Sequence, residues 1–216
     1  MFSFLSSPLA HARRLCRPSL SVAMASACAG VALTAFSAAP AGAALLSTGA
    51  CSEAPLTQPF ARWGDANTYE LAPGGDFEHS LAGWALTGGA ARVTGSETFN
   101  ATGVTGAYSL ALPAGASAQS PYVCVNASYP TFRFFARGGL LSTVVVQVVY
   151  KTLLGPVGLP LGTVLPGGAW QPTAPMLTGS LVGALLTGGT AQAALRFTAL
   201  TGSSRIDDVF VDPRMR

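Results

Sequence analysis

From about residue 69 onward, short apolar runs alternate with turn signals, a pattern that predicts strands. The predicted strands are residues 84–87, 90–93, 107–112, 118–125, 131–137, 143–151, 159–164, 170–176, 181–186, 193–200 and 205–211. Gly88-Gly89, Gly138-Gly139, Gly188-Gly189 and the Pro-Gly-Gly runs at Pro73 and Pro166 separate them. Turn signals every 8–12 residues or so are the signature of a β-sandwich. Residues 181–200 are rich in Ala and Leu and compete as a helix, but Gly183 and Gly188-Gly189 break the run into two strands.

Alternation with a period of two assigns each strand a core face. In 131–137, Phe132, Phe134 and Ala136 share one face, opposite Arg133, Phe135 and Arg137. In 143–151, Val144, Val146, Val148 and Tyr150 oppose Val145, Gln147, Val149 and Lys151. In 193–200, Ala193, Leu195 and Phe197 oppose Arg196 and Thr198. The second faces mix polar and apolar residues, which suits either plain solvation or a shallow binding surface.

Residues 44–69 carry little periodicity, and Pro55, Pro59 and Gly64 interrupt them. They read as an extended lead-in to a domain spanning 70–216. Residues 1–43 read differently. Arg13, Arg14 and Arg17 precede a weakly apolar run over 19–39, and Ala41-Gly42-Ala43 follows. This is the order of a secretory signal, with cleavage expected after Ala43. An uncleaved anchor is the rival expectation, but the run is too rich in Ala and Gly to insert strongly.

Composition fits this division. Half the residues are hydrophobic and only 10% are charged, with 25 Gly and 15 Pro, well below the usual charge content of globular chains. The net charge of +3 belongs to the signal: without its three arginines, nine basic residues face nine acidic ones. A neutral domain without a Lys/Arg cluster lacks the footprint of a nucleic-acid binder and offers little to an anionic membrane surface. No stable membrane span is expected after cleavage.

Of the four cysteines, Cys16 and Cys28 fall in the signal, leaving Cys51 and Cys124 as an even pair in an oxidising compartment. A bridge across so long a loop stabilises by roughly 4 kcal/mol in the chain-entropy model.

Catalytic chemistry is poorly supplied. His79 is the one histidine beyond the signal, no G-x-S-x-G occurs, and Glu97 stands without an evident carboxylate partner. Nucleophilic catalysis needs a base beside its nucleophile, glycoside hydrolysis needs two opposed carboxylates, and no zinc-ligand spacing is present.

Three stretches together carry a resemblance: Leu71-Ala-Pro-Gly-Gly-Asp-Phe-Glu78 followed by Gly83-Trp84, Gly106-Ala-Tyr-Ser-Leu110, and Ser204-Arg-Ile-Asp-Asp-Val-Phe-Val211. In order and spacing, over residues 70–212, they resemble the galactose-binding-like β-jelly-roll superfamily, in particular its carbohydrate-binding modules. Asp76 departs from that pattern, which usually has a small or neutral residue there. The resemblance implies a two-sheet jelly roll with first and last strands side by side and Trp84 buried. It also implies a structural calcium held by Glu78 and by Asp207 or Asp208. It further implies a sugar site drawn from Arg133, Phe135, Arg137, Gln147 and Arg196, with Trp170 or Trp84 nearby. Several arginines on one face also suit an acidic or sulfated ligand, or simply keep an exposed sheet soluble.

The expectation is a secreted, non-catalytic binding module for a polysaccharide or cell-surface glycan. The alternative is a structural or surface-assembly protein of the cell envelope, motivated by apolar surface such as Val145 and Val149.

Overall fold

The computed structural model describes residues 55–126, 131–178 and 190–212. The cleavage site, Cys51 and the strand expected over 181–186 lie outside the described residues, as does the Cys124 side chain. The Cys51–Cys124 bridge therefore stands as an expectation of the sequence.

A short 3₁₀ turn, Ala61–Trp63, opens the described chain. In chain order come β1 (Glu70–Leu71), β2 (Ala85–Thr87), β3 (Ala91–Thr94), β4 (Tyr108–Leu112) and β5 (Ser117–Gln119). There follow β6 (Val123–Asn126), β7 (Thr131–Gly138), β8 (Thr143–Thr152) and β9 (Gly155–Val164). The last four are β10 (Gln171–Pro172), β11 (Met176–Leu177), β12 (Thr190–Thr201) and β13 (Ser204–Asp212). Two expected strands are each split. The run 118–125 breaks at Ser120-Pro121, and 170–176 breaks after Pro172, because proline cannot donate to a ladder.

The strands form two antiparallel sheets. Sheet I has the order β10-β7-β13-β4-β3, with β1 also on β13 and β11 also on β7. Sheet II has the order β2-β5-β12-β8-β9, with β6 also on β12. The first and last strands pair through Glu70 with Val211 and Leu71 with Phe210. This is the all-β sandwich that the strand spacing implies, of the jelly-roll type that the resemblance implies. Strand β9 is an edge of sheet II, which is why it tolerates Pro156 and Pro160. Gly88 and Gly89, both at positive φ, carry the chain from sheet II to sheet I. A Cβ on Gly88 would lie 2.7 Å from the Ala116 Cα. Among the described residues no helix is long and apolar enough to cross a membrane.

The core between the sheets is built from the faces that alternation selects. Phe132, Phe134 and Ala136 meet Val144, Val146, Val148, Ala193, Leu195 and Phe197. Trp84 closes the core beside Phe77 and Phe197 and donates its Nε1–H to the Pro73 carbonyl at 3.0 Å. Its burial matches the expectation.

A second, smaller core lies on the other side of sheet I. Phe60, Tyr69, Phe135, Trp170 and Phe210 form it, with Trp63 and Phe99 packed against them. Phe60 stacks on Phe135 at 5.6 Å between ring centroids, and its edge meets Phe210 at 5.5 Å. The lead-in is therefore more than an extended strap. Residues 60–69 turn back, bridged by Thr57 and Tyr69, and cover the outer face of sheet I. Local periodicity misses this, because five aromatics from separate segments meet only in three dimensions.

Candidate functional site

The expected ligand residues do not share one surface. Strand β7 belongs to sheet I, whereas β8 and β12 belong to sheet II, so their outer faces point in opposite directions.

On sheet I, Phe135 is fully buried and Arg133 is 5% exposed. The Arg133 Nη1 pairs with Asp65 Oδ2 at 2.7 Å, its Nε donates to the Thr173 carbonyl at 2.8 Å, and its guanidinium lies over the Phe60 ring. Both residues hold the lead-in to the sheet and present nothing to a ligand. Burial pushes the Asp65 carboxyl up, but hydrogen bonds from Tyr69, Arg133 and the Asn67 amide outweigh it and leave the pKa below the usual value. Arg137 is exposed and lies over the mostly buried Trp170 ring.

On sheet II the structure does bring expected residues together. Arg196 on β12 is the register partner of Gln147 on β8 and of Gln119 on β5. The guanidinium donates twice to Gln119 Oε1, at 3.1 and 2.7 Å. All three are half-buried and form a polar row across three strands. Thr198 and Ser117 continue it on one side, their hydroxyls 3.4 Å apart. On the other side, Ala194 pairs with Val149 as a buried apolar floor. Beyond that floor, the Lys151 ammonium lies 5.9 Å from the Tyr122 ring. Gln119 and Tyr122 were not singled out in the sequence. Period two turns Gln119 outward, but only the register of β5 on β12 sets it against Arg196.

Val149 also corrects an expectation about apolar surface: it is 1% exposed. The most exposed large apolar side chains are loop leucines instead, among them Leu140, Leu141 and Leu165.

The acidic residues of the implied calcium set are engaged by protein groups. Glu78 Oε1 accepts hydrogen bonds from the Ala107 and Tyr108 amides at 2.8 Å each. Asp207 Oδ2 accepts from Ser96 Oγ at 2.7 Å and the Glu97 amide at 2.8 Å. Its Oδ1 accepts from the Asp208 amide at 3.0 Å. Among the described residues no three His, Cys, Asp or Glu side chains are arranged to hold a metal ion. The structure instead gives Glu97 the neighbours it lacks in the sequence. Glu97 is 3% exposed, and its carboxylate accepts from the Phe99 and Ala101 amides. Burial, then the negative charges of Asp207, Glu97 and Asp76, pushes Asp208 up to about 9. Burial raises Asp207 to about 7. These carboxyls fasten the loop after β3 to the bulge in β13, where Asp208 has φ +44°. They are enclosed rather than set in a cleft, and His79 is exposed on a turn, its carbonyl accepting from Arg92.

No family model and no curated protein matches the chain. Solved structures do resemble it. The carbohydrate-binding family 22 and catalytic modules of an endo-1,4-β-D-xylanase from Clostridium thermocellum, complexed with xylohexaose, align at 14% identity and TM-score 0.46. That alignment covers 69% of this chain and 29% of that one, so this chain spans under a third of the xylanase fragment. The C-terminal family 22 module of the same organism's xylanase aligns at 20% identity and TM-score 0.42, covering 69% and 96%. The family 11 module of a cellulosomal cellulase from that organism aligns at 11% and 0.41, covering 70% and 98%.

Proposed function

We propose that this protein is an exported, non-catalytic carbohydrate-binding module, and that a glycan lies across the outer face of sheet II. One observation carries the reading: the half-buried Gln119–Arg196–Gln147 row crosses three strands of one sheet face, which also carries Lys151 beside Tyr122. Amide and guanidinium groups hydrogen-bond sugar hydroxyls, while aromatic rings accept the C–H faces of pyranose rings. The sequence resemblance to carbohydrate-binding modules supports the same reading. This reading does not call on calcium.

The test is affinity electrophoresis through xylan, mixed-linkage β-glucan and β-1,4-galactan, followed by calorimetry on oligosaccharides. Retardation in at least one gel, lost on Arg196→Ala and Gln147→Ala with unchanged melting temperature, is expected. Migration unaffected by any of the gels overturns the proposal. Export is tested separately: protein recovered from culture medium should begin near residue 44.

Surface assembly is the second reading, favoured by the leucines at one end of the sandwich. Leu140, Leu141 and Leu165 are 93%, 80% and 75% exposed and line one groove of about 700 Å³. Concentration-dependent oligomers in light scattering, abolished by Leu140→Ser with Leu141→Ser, would favour it.

A further inference from the structure

The row on sheet I that runs through β4, β13 and β7 holds a second, independent feature. Arg205 on β13 is the register partner of Arg137 on β7 and of Ala111 on β4. Like charges placed directly opposite on antiparallel strands repel, since their Cβ atoms sit only about 5 Å apart. An acidic neighbour normally relieves such a pair. Among the described residues neither arginine has one: the ion pair present joins Arg133 to Asp65.

The two guanidiniums lean apart instead. Arg205 Nη1 donates to the Thr94 carbonyl at 2.8 Å, while Arg137 leans over the Trp170 ring, 5.8 Å from its centroid. Between them a groove of about 370 Å³ opens, bounded also by Ala111, Gly138, Ser203 and Ser204. Alanines at 91 and 111 continue the row, so no long side chain fills it. The groove is thus flanked by two cations that no carboxylate among the described residues neutralises.

We infer that the Arg137–Arg205 groove binds an oxyanion carried on an acidic polysaccharide, either a uronate carboxylate or a sulfate ester. Planar guanidinium forks match the paired oxygens of both groups. The groove lies on the sheet opposite the Gln119–Arg196–Gln147 row, so it neither depends on the proposed glycan face nor shares residues with it.

The experiment measures binding of the protein to polygalacturonate, dextran sulfate and uncharged dextran by calorimetry at low salt. Inorganic sulfate is titrated in parallel, with NMR detection of the arginine Nε–H signals. Binding to polygalacturonate, dextran sulfate or both, but not to dextran, is expected, and which polymer binds distinguishes carboxylate from sulfate. Arg137→Gln with Arg205→Gln should weaken that binding at least tenfold. Arg62→Gln, which removes an exposed charge outside the groove, should leave it within twofold, and 0.5 M NaCl should weaken it strongly. The inference is overturned if neither anionic polymer binds, if dextran binds equally, or if the double variant, folded by circular dichroism, binds as tightly as the original. Loss on Arg196→Gln with retention in the double variant would transfer the anion to sheet II and also overturn it. Shifts of the Arg137 and Arg205 signals with sulfate, at residues whose Gln replacement abolishes polymer binding, would locate the oxyanion between them.

Discussion

The Arg133 guanidinium and the Asp65 carboxylate meet at 2.7 Å with side chains 6% and 11% exposed. This pair fastens a segment outside the sandwich proper to the outer face of sheet I. Removing one member of a buried pair leaves the other charge stranded, at a cost of about 3–5 kcal/mol. Asp65 sits towards the rim, so Asp65→Ala should cost about 3 kcal/mol in urea unfolding, with Arg133→Met costing less.

The second core makes a related prediction. Phe60→Ala should destabilise by about 3–4 kcal/mol, as large-to-small aromatic changes in cores do. Phe135→Ala should behave alike. If Phe135 were a ligand contact, its truncation would lower affinity and leave the melting temperature unchanged. A large drop in melting temperature is the outcome expected from its packing.

The carboxyls around Asp208 predict an unusual pH dependence. The raised pKa values of Asp207 and Asp208 mean that the folded state holds protons the unfolded chain releases near pH 4. Their contribution is fully present below about pH 4 and is lost as pH rises through about 7 and about 9. Asp65 acts in the opposite sense: its lowered pKa withdraws stability as pH falls below about 4. Thermal unfolding should therefore show a maximum in mildly acid buffer and a decline towards pH 9. Asp208→Asn should flatten that decline and raise the melting temperature at pH 8, since Asn tolerates the positive φ found there. A lower melting temperature for this variant at pH 8 would refute the account.

The polar row on sheet II makes the sharpest functional prediction. Gln119 orients Arg196 through two hydrogen bonds. Gln119→Ala should therefore weaken glycan binding about three- to tenfold while the melting temperature changes little. Gln119→Glu should keep Arg196 in place and retain most of the affinity. Calorimetry on the best oligosaccharide checks both variants.

Much of this molecule was legible in the residues alone. Period-two alternation placed Phe132, Phe134, Val144, Val146, Val148, Leu195 and Phe197 in one core, because a pleated strand sends alternate side chains to opposite faces. The turn glycines and prolines marked where strands end, because only they relieve those backbone conformations without cost. The motifs at both ends anticipated that the first and last strands pair.

The tertiary structure decided which outward faces look the same way. Alternation says that Arg133, Gln147 and Arg196 all leave the core, but it is silent on which sheet each strand joins. Sheet membership and register depend on pairing between segments far apart in sequence, and there they separate Arg133 from the other two. The same long-range pairing buries Phe135 beneath Phe60, joins Glu97 to Asp207 and Asp208, and sets Arg137 against Arg205. Which side chains face the core is a local property of the chain; which side chains face one another is decided only when the sheets assemble.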